Sequence, residues 1–493
     1  MNHMVTQRRQ GTHLLAGQSF TEPWSTVIVL GSALVAAGFG LALPVSPWDA
    51  VAVLLLILLG LAAPTAAVGT ILAITLLVPW NIQDQFQVFG GGPGERGMSF
   101  VDALLLVALA RVGWMLIRRR TDFDAPMLLG TIVSGALVAA TLWGIARGAN
   151  VSDAANEGRR VLFASGTFML AWPLLRDAAA RRVIMRWLVG IGLALAVWGL
   201  VQYLFDVGYT GTGDVGVRGG LGSKQLQGGM YAYPVAVIVS WAALVNGVTR
   251  TKRDKILNGA VLALNTVCVM LTLERTLVLA SALGCGFVVI IAGARARGPA
   301  LKWGAGMIGL LVVGAVVAQT HTRSALDRMA LIGNLGSDNS YTHRVIEANL
   351  VGTEIADHPI LGSGFGAAVS WAGQSKFASG TTTFADLGYH WLAWKAGLPL
   401  AALIVVLILC AVFRRTRGAE RADWRALRMG ARGALLALLI IAALFGVFNA
   451  LNITAAIGLL VAVCFSARDP DQQSTSDVAM SPPQEWRLHD VHE

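Results

Sequence analysis

Asp386 and His390 have the residue types and the spacing of an acid–base pair. They are four residues apart at the start of a long apolar segment, and residues at this spacing share one face of a helix. Histidine, with a pKa of about 6.5, is the usual general base near neutral pH, and a neighbouring carboxylate can orient it. A lone histidine is more often a structural hydrogen-bonding group. The pair therefore indicates either a base for a reacting hydroxyl or a structural polar contact.

A short helix is predicted upstream of this pair, over residues 341–357. Apolar side chains recur there at helical spacing, and Arg344 and Glu347 are three residues apart, which permits a structural ion pair. The helix should end at His358, because Pro359 disfavours the helical conformation in the residue before it. His358 itself is interpreted as a capping residue of the turn.

The stretch DHPILGSGFG, residues 357–366, predicts a tight turn. Gly362, Gly364 and Gly366 allow backbone conformations closed to other residues and a close approach to a ligand or to another helix. Composition does not choose between these two partners, and a purely structural turn is the simpler interpretation.

The composition predicts an all-α, polytopic integral membrane protein. Of 493 residues, 55% are hydrophobic and only 13% are charged. The apolar runs have the length of about 20 residues that a membrane-spanning helix needs, and they predict about 12–14 such helices. The net charge of +10 comes from basic residues in short loops between the apolar runs, which argues against a nucleic-acid partner. The four cysteines fall inside apolar runs, and we expect no disulfides.

The basic loops predict the topology. Arginines 118–120, the segment 249–255 and the segment 414–432 fall on one side, which the positive-inside rule assigns to the cytoplasm together with both termini. The candidate spans include 24–43 and 387–413, the second with a Gly-Leu-Pro break about ten residues in, and the intervals on the outer side include a loop at 148–160. The chain then divides into four parts: an N-terminal helix bundle (1–320), a large periplasmic loop with short helices (321–386), C-terminal membrane helices (387–468) and a disordered cytoplasmic tail (469–493).

Four stretches resemble the O-antigen ligase and O-antigen polymerase superfamily. THRVIEANLVGTEIADHPILGSGFGAAV (342–369) is similar to the family's arginine, short helix and His-Pro-Gly-rich loop, and DLGYHWLAWKAGLPLAALIVVLIL (386–409) to the next family helix. RGGLGSKQLQGGMYAYPVAV (218–237) and TLERTLVLASA (272–282) resemble weaker family elements.

The resemblance implies a metal-independent and cofactor-independent glycosyltransferase of the bacterial inner membrane. Its donor would be an undecaprenyl-pyrophosphate-linked oligosaccharide and its acceptor a hydroxyl at the periplasmic face. Membrane lipid and other polysaccharide assembly proteins would be its partners. Arg218, Lys224 and Arg275 are the implied pyrophosphate-binding residues, since a guanidinium fork matches phosphate oxygens. Arg344, Asp386 and His390 are the implied catalytic residues. As structural alternatives, Arg218 is a solvated loop charge and Arg275 pairs with Glu274.

Departures from the family pattern favour a polysaccharide polymerase over a ligase. Asp386 stands where family ligases begin the helix with a His-Asn or similar pair, and Glu274 replaces the family serine before Arg275. Ligation to lipid A core or protein is the first alternative. A solute transporter, such as a bicarbonate carrier, is the alternative of another class, and Asp102 and Arg111 are the charges that it would place deep in the membrane.

Overall fold

The computed structural model describes residues 58–78, 87–89, 98–119, 124–205, 229–247, 251–272, 274–321, 339–370, 381–414 and 421–466. Arg218 and Lys224, the tail 469–493 and the first predicted span at 24–43 lie outside these residues.

The described chain is helical, with two short two-stranded ladders. The helices are α1 (Pro64–Leu77), α2 (Phe100–Arg119), α3 (Ala125–Ala146), α4 (Val151–Leu174), α5 (Ala178–Phe205), α6 (Ala232–Val245), α7 (Lys252–Leu271), α8 (Arg275–Ala292), α9 (Arg297–His321), α10 (Asn339–Asp357), α11 (Gly388–Ala396), α12 (Leu398–Phe413), α13 (Ala422–Ala442) and α14 (Leu451–Phe465). The strands are β1 (Gln87–Phe89), β2 (Met98–Ser99), β3 (Val369–Ser370) and β4 (Thr381–Thr382), paired antiparallel as β1–β2 and β3–β4.

Five of the described helices are long and apolar enough to cross a membrane: α2, α3, α5, α7 and α8. Four more are apolar but shorter, namely α1, α6, α12 and α14. The all-α prediction therefore holds at this level, while the total of 12–14 spans stays a prediction.

Small residues allow the helices to cross closely. A side-chain carbon on Gly458 of α14 would lie 2.1 Å from the carbonyl oxygen of Ala164 in α4, and one on Gly284 of α8 would lie 2.9 Å from the carbonyl oxygen of Gly433 in α13. Such close contacts are typical of helix packing in membranes. Lipid tails are as apolar as the side chains, so helices associate there through close van der Waals packing and not through the hydrophobic effect. The cysteines are free, as expected.

Helix α4 is longer than the sequence indicates. The interval 148–160 was interpreted as a loop, but the helix already starts at Val151, where the Asn150 side chain accepts a hydrogen bond of 2.8 Å from the Ser152 N–H. Its first turns carry charged side chains that have partners inside the protein. Charge alone therefore misplaced the start of the helix.

The region around the predicted turn has the expected order of elements. Helix α10 ends at Asp357, directly before His358 and Pro359, as predicted. The predicted span 387–413 is wrong as a single helix: Gly397, with a φ of 81°, separates α11 from α12. A residue with positive φ cannot continue a right-handed helix, so the Gly-Leu-Pro sequence breaks the segment in two.

Candidate active site

The segment His358–Ala367, here called the glycine loop, has three residues in the left-handed region. Gly362, Gly364 and Gly366 have φ values of 67°, 85° and 81°. Only glycine adopts such angles without steric cost, so all three positions require glycine on backbone grounds alone.

The same glycines contact the backbone of other helices. A side-chain carbon on Gly364 would lie 2.3 Å from the Cα of Gly144 in α3, and one on Gly366 would lie 2.7 Å from the backbone nitrogen of Ala154 in α4. Gly362 is equally close to the nitrogen of Gly397, at 2.5 Å. The close approach that the sequence predicted is therefore made to the protein itself.

Hydrogen bonds attach the glycine loop to the end of α11. The Ser363 N–H donates to the Trp394 carbonyl at 2.7 Å, and the Gly364 N–H donates to the Lys395 carbonyl at 3.1 Å. In return, the Leu398 N–H donates to the Pro359 carbonyl at 2.8 Å. The last carbonyls of a helix have no partner within the helix, and the loop satisfies two of them here.

A buried ion pair lies beneath the loop. The Lys395 ammonium is 3.0 Å from Glu157 Oε2, and the two side chains are 0% and 5% exposed. Lys395 also donates to the Ala367 carbonyl, and the same Glu157 oxygen accepts the Gly366 N–H at 2.7 Å. The pair thus joins α11, α4 and the loop. Sequence reasoning missed both residues, although a lone lysine in an apolar segment indicates a buried partner.

His358 lies at the other end of the loop. Its Nε2 is 2.8 Å from the guanidinium of Arg147, which follows α3. Nε2 accepts this bond in the neutral tautomer, since arginine only donates. His358 therefore fixes the loop to the end of α3, and its predicted role as a capping residue stays a prediction.

Arg344, Glu347 and Asp386 lie together between α10 and the start of α11. Glu347 is 2% exposed and accepts a hydrogen bond from the Asp386 N–H. The Arg344 guanidinium lies over the Phe445 ring, 5.0 Å from its centre. No ion pair joins Arg344 to Glu347 among the described residues, so the contact predicted from their spacing is replaced by tertiary contacts.

Tyr231, at the start of α6, connects this group to the turn between α7 and α8. It is buried and lies within electrostatic range of Asp386, Glu274 and Arg344. We call Tyr231, Glu274, Arg344, Glu347 and Asp386 the carboxylate–arginine cluster. Arg275 follows Glu274 as the first residue of α8 and is half-buried. Tyr231 is thus influenced by charges from α10, from the residue before α8 and from Asp386 before α11.

His390 is exposed on α11, whereas Asp386 lies two residues before this helix begins, so the helix face that their spacing predicted they share is not formed. In the part of the chain that the structure describes, no hydrogen bond joins the two residues; the Asp386 N–H is directed to Glu347 instead. Asp102, in the first turn of α2, accepts bonds from Ser99 and pairs with Arg159 at 3.0 Å. Its charge is therefore neutralised near a helix end.

No group of three or more His, Cys, Asp or Glu side chains in the described ranges could hold a metal ion. The polar groups that the described site offers for chemistry are therefore carboxylates, guanidinium groups, a phenol and an imidazole. These groups can bind phosphate oxygens and accept a proton from a hydroxyl.

Comparison with known proteins adds no assignment: no protein-family model matches the chain, and no curated protein matches it.

Proposed function

We propose that this protein is a polysaccharide polymerase of the bacterial inner membrane. It transfers a glycan from an undecaprenyl-pyrophosphate-linked donor to the hydroxyl of a second lipid-linked repeat unit at the periplasmic face. The observation that carries the proposal is the carboxylate–arginine cluster, since Glu274, Arg344 and Asp386, far apart in the chain, all act electrostatically on the buried Tyr231. The resemblance of those same segments to the O-antigen ligase and polymerase superfamily supplies the reaction.

The charges of the cluster suit this reaction. The leaving pyrophosphate gathers negative charge, so fixed guanidinium groups stabilise the transition state more than the ground state. We assign Arg275 to the pyrophosphate, with Arg218 and Lys224 of the segment outside the described residues, and Arg344 to the reacting centre. Asp386 and His390 supply polar groups on the acceptor side.

Arg275→Lys is expected to lower polymer formation by about 100-fold, because a point charge does not replace the forked donor that matches two phosphate oxygens. Polymer would be measured by gel electrophoresis of glycans from a deletion strain carrying the variant, with the protein quantified in the membrane. Arg182→Lys, an exposed arginine of α5, is the matched control and should give wild-type polymer. Wild-type yield and chain length in Arg275→Lys would remove this arginine from the mechanism.

The periplasmic location of the long loop predicts a labelling pattern. In a cysteine-free background, Ser370→Cys, at the exposed residue of β3, should react with a membrane-impermeant maleimide in intact spheroplasts. Lys252→Cys, at the exposed start of α7, should react only after lysis. The reverse pattern would overturn the orientation and, with it, the periplasmic reaction.

A further inference from the structure

Two buried polar atoms of the carboxylate–arginine cluster have no hydrogen-bond partner. They are Glu347 Oε2 and Arg344 Nε, and neither finds a donor or acceptor within the described residues. The other Glu347 oxygen is occupied by the Asp386 N–H. Buried polar atoms are nearly always paired, and here an unpaired acceptor and an unpaired donor lie on two residues of the same cluster.

The two atoms are complementary to a hydroxyl group. A carboxylate oxygen only accepts hydrogen bonds, and a guanidinium nitrogen only donates them. A hydroxyl can donate a hydrogen bond to the carboxylate oxygen and accept one from the guanidinium N–H at the same time. Arg344 and Glu347 are three residues apart on α10, which places their Cβ atoms on one face of the helix about 5–6 Å apart.

We propose that Glu347 is the general base of the glycosyl transfer, and that the acceptor sugar hydroxyl binds between Glu347 Oε2 and Arg344 Nε. The inference rests on the proposed function and names the group that activates the acceptor. Half-buried Arg344 and Asp386 form the edge of this site, and exposed His390 follows Asp386 by four residues, in α11. The acceptor enters across that edge, and its hydroxyl reaches a base that is shielded from bulk water.

The reaction balances with these residues. The acceptor O–H bond breaks and its proton passes to Glu347 Oε2, while the acceptor oxygen forms a bond to the anomeric carbon of the donor. The bond from that carbon to the pyrophosphate oxygen breaks, and its electron pair leaves with the lipid pyrophosphate at Arg275. Glu347 then releases the proton to solvent and is again a carboxylate.

The surroundings of Glu347 suit this role. Burial, with a smaller contribution from the negative charge of Asp386, raises the pKa of Glu347 to about 7, against the opposing effects of the Asp386 N–H bond and the Arg344 charge. A base is most effective when its pKa is close to the working pH. Since the carboxylate is the active form, the transfer rate should fall as the pH is lowered through about 7.

The decisive variant is Glu347→Gln, which keeps an oxygen for the Asp386 N–H but cannot take a proton. The purified full chain would be assayed in proteoliposomes with lipid-linked oligosaccharide extracted from a strain that lacks the gene. We expect an unchanged thermal midpoint and a fall in the transfer rate of about 100-fold or more. The residual rate should no longer fall as the pH is lowered, so its pH–rate profile should lack the acidic limb of the wild type. Glu347→Asp, whose carboxylate is one methylene further away, should transfer more slowly than wild type and keep an acidic limb.

The outcomes separate the two proposals. A wild-type rate in folded Glu347→Gln would overturn this inference alone, as would an acidic limb that persists there and disappears in His390→Ala. If Glu347→Gln does not fold, Glu347→Asp decides, and a wild-type rate with an unchanged limb in that variant would refute the role of Glu347. Wild-type protein that transfers no glycan would overturn the proposed function together with this inference.

Discussion

Gly364→Val is expected to abolish polymer formation and to destabilise the folded protein by about 3 kcal/mol or more, combining backbone strain and overpacking. Valine rarely adopts a φ near the 85° of Gly364, and its Cβ would lie 2.3 Å from the Cα of Gly144. Because the obstructing atom belongs to the backbone of α3, no side-chain rotation relieves the clash. The loop must then leave its site, and α10 loses its fixed position against α11.

A variant at a second glycine with positive φ distinguishes the effect of backbone strain from the effect of the steric clash. Gly148 has a φ of 93° and nothing within 4 Å of the position that a side chain would take. Gly148→Val should therefore show strain alone, about 1–2 kcal/mol, and should retain polymer. The measurements are the thermal midpoint of the detergent-solubilised protein and the glycan ladder on a gel. Equal stability and activity in the two variants would mean that the loop does not pack against Gly144.

Lys395→Met should destabilise the protein by about 3–5 kcal/mol, because it leaves the Glu157 carboxylate buried without its cation. Met fits the apolar surroundings, so the loss is mainly electrostatic. Glu157→Gln in the same chain removes the unpaired charge and keeps an acceptor for the Gly366 N–H, so the double variant should recover most of the loss. Lys252→Met, at an exposed position, is the control and should be near neutral.

Thermal midpoints of the two single variants and the double variant form a cycle that isolates the pair. A coupling free energy near zero would show that Lys395 and Glu157 do not interact in the folded protein.

Local features of the site could be predicted from the sequence. Pro359 determines where α10 ends, and glycine at 362, 364 and 366 indicates a special backbone, since both effects depend on the residue itself. The Gly-Leu-Pro sequence predicts a break at Gly397, but it does not predict that the break divides the span into two separate helices.

Tertiary partners could not be predicted. Spacing along α10 suggested that Arg344 pairs with Glu347, whereas burial directs Arg344 to Phe445 and Glu347 to the Asp386 N–H. Both new partners come from distant segments, and an isolated pair at helical spacing contributes only about 0.2–0.5 kcal/mol against them. The charges at the start of α4 were assigned to a loop for the same reason, because Lys395 and Asp102, which neutralise Glu157 and Arg159, are remote in sequence.

The docking of the glycine loop has a consequence for biogenesis. Its contacts join Gly144 and Ala154 to residues near 360 and to Trp394, so they close only after α11 has been synthesised. Helices α3 and α4 must already be in place to receive the loop, since contacts of such separation form late in folding. Arg344 and Glu347 therefore acquire their final surroundings in one of the last steps of assembly. A nascent chain truncated before α11 would contain Arg275 and Arg344 but no completed site.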